Sequence, residues 1–128
     1  MADRFNMSGD FRGAVINIKS TLTNVQQSVG DIRSQDESAR KELEKLIGEL
    51  SEALQKIPAE GQEQAEAVAE TAKSLVEAAK AEKPNKTMLQ INGEGLKLAA
   101  QNLATVMPSV VTIASQIVLT VARLTGAG

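Results

Sequence analysis

The stretch Phe5–Val29, FNMSGDFRGAVINIKSTLTNVQQSV, decides how this chain is read, because it differs in kind from everything after it. Both phenylalanines, Phe5 and Phe11, lie in it. Around Val15-Ile16-Asn17-Ile18 the pattern is β-branched with a period of two. Ala14, Ile16 and Ile18 then share one face, and Val15, Asn17 and Lys19 the other, which predicts a strand. Phe5-Asn6-Met7 is a second, shorter strand candidate, with Ser8-Gly9-Asp10 and Arg12-Gly13 supplying turn or bulge chemistry. Thr21–Val29 fits two descriptions. Leu22, Val25, Val29 and Ile32 recur at helical spacing, yet the Thr, Val, Asn and Gln content suits a stacked strand. The absence of a break across Ile18–Leu22 tips this reading to strand.

One or two strands do not make a stable sheet in water, and no later segment has strand character. The unpaired edges need a partner, and the economical one is the same segment of another copy. Stacked in register, Asn6, Asn17, Asn24, Gln26 and Gln27 would form amide ladders, and the apolar positions a dry seam. The alternative is a hairpin folded on the chain's own helices, or a flexible tail. Under the stacking reading the self-assembly residues are Phe5, Met7, Phe11, Val15, Ile16, Asn17, Ile18, Leu22 and Val25.

The chain has 128 residues, enough for one domain with one modest core. Aromatics are 2% of it, with no Trp or Tyr, so the core is built from Ala, Val, Leu and Ile. That favours closely packed helices. There is no Cys and no His, which removes disulfides, thiolate sites and imidazole chemistry. A net charge of −2 and a pI near 5.2 give no nucleic-acid footprint. The N-terminus has no apolar signal-type region, which points to the cytoplasm.

From Ser34 onward the signals are helical. Ser34-Gln35-Asp36-Glu37 has the spacing of a capping box with Ser34 as cap. Leu43, Leu46, Ile47, Leu50, Leu54 and Ile57 form the stripe of a first helix that Pro58 stops. Ala65, Val68, Ala69, Ala72, Leu75, Val76 and Ala79 form the stripe of a second, from about 59 to 81. Small knobs allow a close helix approach, and the short Pro-marked connection predicts an antiparallel helical hairpin. Asp36–Lys86 holds most of the charge; it is read as a solvated face, with an acidic docking surface for a protein partner as the alternative.

A third helix is expected from about Thr87 to Met107. Its Asn92-Gly93-Glu94-Gly95 weakens it by roughly 1 kcal/mol per glycine and marks a kink, a break or a very close helix contact; Gly93 and Gly95 are the hinge candidates. Pro108 opens a last helix to about Leu124. Residues 98–122 carry no charge, so the last helix reads as a buried central helix, an intersubunit helix or a membrane-inserting one. Only Arg123 flanks its end, which weakens the membrane reading.

No nucleophile elbow, phosphate loop or metal-ligand run occurs, so no enzyme and no cofactor are expected. Ser8–Ala14 resembles one turn of the pentapeptide-repeat β-solenoids. The layout SGxFxGAxxNI…STLxNV, charged helices, then Lys-Pro-Asn…Gly-Leu-Lys and an apolar segment is similar to that of a group of small bacterial proteins and domains. Here these are Ser8–Val25, Asp36–Lys80 and Lys83–Leu124. The resemblance implies a bacterial origin and an assembly or signalling role, and carries no active site.

The expectation is therefore a mainly α domain with a β-rich assembly segment (1–33), a charged helical hairpin (34–82) and apolar C-terminal helices (83–128). It would be a structural protein that self-assembles into a homo-oligomer or filament. A membrane-inserting scaffold and a monomeric helical adaptor are the alternatives.

Overall fold

The computed structural model describes the backbone of residues 2–126 and the side chains of residues 15–126. Its five helices are α1 (Ala2–Ser28), α2 (Glu37–Gln55), α3 (Gln62–Ala79), α4 (Lys86–Gln101) and α5 (Pro108–Thr125). Two 3₁₀ turns, Val29–Asp31 and Ala59–Gly61, sit after α1 and before α3. Short connectors make successive helices alternate in direction, so α1, α3 and α5 run one way and α2 and α4 the other.

The helices close into a ring. α1 packs on α2 and α3, α2 on α5, α5 on α4, and α4 back on α3. The apolar stripes explain this bundle. Every residue of the predicted α2 stripe, Leu43 through Ile57, is buried, and so is every residue of the alanine-rich α3 stripe. Leu89, Leu96, Ala99, Ala100 and Leu103 complete the α4 side. The result is one aliphatic core cluster to which all five helices contribute.

Val15–Ser28 is helical, where a strand was expected. The two-residue alternation spans only a few residues. Ile18, Leu22, Val25, Val29 and Ile32 repeat at spacings of four, three, four and three, and all five are buried. That repeat matches the groove that α2 and α3 offer, and among the described residues there is no strand to pair with. The short strand expected at Phe5–Met7, and Phe11 with it, lies outside the residues whose side chains are described.

Two further expectations change. The consecutive helices α2 and α3 are not packed neighbours: α1 lies between them on one side and α5 and α4 on the other. Their stripes are as apolar as a hairpin needs, but each packs on α1 instead of on the other. α5 is not central. Only 33% of its residues are buried, and Leu119 is 65% exposed. α5 rests on α2 and α4 and only grazes α3.

Local chemistry fixes the ends. The α2 cap is Asp36, whose Oδ1 accepts from Ala39 N at 2.9 Å; Ser34 Oγ accepts from Asp36 N instead. Asn85 caps α4 by accepting from Met88 N at 3.1 Å. Pro108 stands at the start of α5, and Gly126, at φ +71°, closes it in the left-handed region. The guanidinium of Arg40 donates to the carbonyls of Ile32 and Ser34 and pairs with Glu37, holding the α1–α2 connector against α2. Arg123 reaches Asp36 at 3.4 Å, bringing the end of α5 to the start of α2.

Candidate interaction surface

The structure divides the nine expected self-assembly residues into groups. Ile18, Leu22 and Val25 belong to the bundle's own core, at 1%, 1% and 3% exposure. A residue so enclosed is not available to a second copy while the bundle is folded. Ile16 is 63% exposed and Asn17 is exposed, while Val15 is half-buried. The helix separates Ile16 from Ile18 by about 200° at roughly 100° per residue, whereas a strand would put them on one face. Phe5, Met7 and Phe11 lie outside the described side chains.

The amides proposed for ladders also divide. Gln26 Nε2 donates to Glu44 O on α2 at 2.8 Å. It reaches there because Gly48 leaves the space open; a Cβ at Gly48 would sit 3.1 Å from that nitrogen. Asn17, Asn24 and Gln27 are exposed.

The glycine candidates behave as a close contact, not a break. α4 is continuous from Lys86 to Gln101, and neither glycine has a positive φ. Gly93 is buried, and a Cβ on it would meet Val118 Cγ1 at 3.2 Å, so the glycine sets the approach of α4 to α5. At Gly95 the nearest atom, Thr71 Cγ2, is 3.8 Å away, ordinary contact distance. Asn92 between the two helices reaches Ser74 O at 3.4 Å.

The acidic residues of the expected hairpin do not form one surface, because α2 and α3 are on different sides of the ring. On α3, Glu63, Glu66, Glu70 and Glu77 recur at helical spacing along one line, with Lys73 and Lys80 beside it. Lys80 pairs with Glu77 at 3.2 Å. Among the described residues no group of three potential metal ligands comes together.

Two features were not visible in the sequence pattern. Gln62, at the first position of α3, is 6% exposed; its Nε2 donates to Ile57 O at 2.6 Å and its Oε1 has no partner. It ties the α2–α3 turn together from inside. The second is a cleft of about 280 Å³ at the end of the ring where α1, α3 and α5 finish. Leu75, Leu89 and Val121 form its buried floor, Val118, Ala122 and Thr125 its α5 wall, and Lys86 and Gln90 its rim. The cleft lies nearer the start of α4 than the close approach of Gly93 to Val118.

No protein-family model, curated protein or solved structure matches this chain.

Proposed function

We propose that this is a non-enzymatic structural protein that self-associates through the segment preceding Ile18, with the five-helix bundle as the body it carries. The observation behind this reading is the sharp change at Ile16 to Ile18. Ile18, Leu22 and Val25 root the segment in the core, while Ile16, a large β-branched residue, is left 63% exposed beside exposed Asn17. The surface is then Phe5, Met7, Phe11, Val15, Ile16 and Asn17. In the assembled form these residues of successive copies pack against one another, so that each copy covers the apolar surface the next leaves exposed. Such a contact is head-to-tail, and where its rotation does not close it builds a filament. The charged outer faces of α2 and α3 keep the polymer soluble.

The test is negative-stain microscopy of the purified full-length protein and of Ile16→Lys. Filaments or large regular particles that vanish in the variant support the reading. Particles unaffected by Ile16→Lys, or none at all, defeat it.

One observation favours a second reading. α5 is long and apolar enough to cross a bilayer, is one-third buried, and presents Leu119 outward. In that reading α5 inserts into lipid after leaving α2 and α4. Co-flotation of the protein with liposomes after deletion of residues 1–17 tests it.

A further inference from the structure

The cleft between α3, α4 and α5 is separate from the proposed assembly segment and has a chemistry of its own. We infer that it is a binding site for a free single-chain amphiphile with an anionic head, of the fatty-acid class. Its floor and α5 wall are aliphatic: Leu75, Leu89, Val118, Val121 and Ala122. Its volume, about 280 Å³, falls just below the roughly 300–1,000 Å³ typical of small-molecule sites, and suits one medium-length alkyl chain.

The polar groups select the head. Among the described residues Lys86 is the one charged residue lining the cleft, and it stands at the rim with Gln90. Among the described residues no Asp or Glu lines it, so a carboxylate placed there meets a cation and an amide donor. Thr125 spends its hydroxyl proton on Val121 O at 2.9 Å, leaving only oxygen lone pairs on that side. Lys86 has no salt-bridge partner among the described residues. The mouth is therefore polar and cationic and the interior apolar. That order matches a dissolved amphiphile whose tail enters the cleft and whose anionic head stays at the rim.

The experiment is a methyl-NMR titration of the full chain with decanoate below its micelle concentration. Decanol, acetate and phosphatidylglycerol vesicles serve as the other arms. Saturable decanoate shifts centred on Leu75, Leu89, Val118 and Val121 are expected. Acetate should leave these methyls in place. Decanol, or decanoate with Lys86→Gln, should bind about two- to fivefold more weakly, as one solvent-exposed ion pair supplies. Lys86 is exposed, so this variant retains the fold. Ala122→Phe should fill the cleft and abolish the shifts. The inference is overturned by no saturable shift at the lining methyls, or by decanoate affinity that ignores both Lys86→Gln and the loss of the carboxylate. Binding to vesicles without binding to decanoate also overturns it.

Discussion

The same substitution made at two positions two residues apart separates the helical and strand descriptions of the N-terminal segment. Ile18 is 1% exposed and Ile16 is 63% exposed. Ile18→Ala removes a buried side chain from between α2 and α3, where the neighbours relax only in part. Such core truncations cost about 2–5 kcal/mol, and about 3 is expected here. Ile16→Ala forfeits only the fraction of its side chain that is covered. At about 2 kcal/mol for full burial, that is about 0.7 kcal/mol. Alanine returns about 0.4 kcal/mol of helix propensity, so the net change should lie within about 0.5 kcal/mol of zero. A strand predicts otherwise: both residues share a face, the two costs are alike, and alanine loses β-propensity at each. Urea unfolding followed by circular dichroism, at concentrations low enough to keep the protein unassembled, gives both values. Comparable losses at the two positions would refute the helical account of Val15–Ser28.

Other consequences follow from the ends and the contacts. Asp36→Ala should cost about 1 kcal/mol through loss of the α2 cap, and Ser34→Ala distinctly less, by the same urea assay. Arg40→Met should destabilise by about 1.5–3 kcal/mol, since two connector carbonyls lose a charged donor, and hydrogen exchange should rise first at residues 32–36. Gly95→Ala should stabilise by about 0.5–1 kcal/mol because the new methyl finds ordinary contact at Thr71. Gly93→Ala should gain less than that, or lose, against Val118 at 3.2 Å; thermal melts compare the two. Gly126→Ala should cost about 1 kcal/mol, the strain of a left-handed residue with a Cβ.

What the sequence made legible was the part carried by long periodic stripes. The α2 and α3 stripes repeat at helical spacing and are all buried, and Pro58, Pro84 and Pro108 mark the connectors near them. The α1 stripe was harder because its signals overlap. Ala14, Ile16 and Ile18 satisfy a period of two, while Ile18, Leu22 and Val25 satisfy a period near 3.6, and a short window holds both. Only the groove between α2 and α3, a tertiary feature, decides between them. Neighbour choice in the ring was not legible either, since an aliphatic stripe records that a face is buried and not what buries it. Ser34, Asp36 and their neighbours all fit a helix start, so spacing points to Ser34, and hydrogen-bond geometry alone selects Asp36. Of the candidate surface, the exposed part, Ile16 and Asn17, and the buried part, Ile18, Leu22 and Val25, came from one undivided sequence motif. Gln62 and the α3–α4–α5 cleft depend on residues far apart in the chain and leave no local pattern.

The central claim is that the segment before Ile18 assembles copies while the residues from Ile18 onward hold the bundle together. Light scattering on the full-length chain and on a form lacking residues 1–17, across a wide concentration range, tests it directly. The account predicts a full-length mass that climbs far above the 13.6 kDa of one chain, and a shortened form that stays helical and monomeric. A full-length protein that remains at 13.6 kDa throughout, or a shortened form that still polymerises, would contradict it.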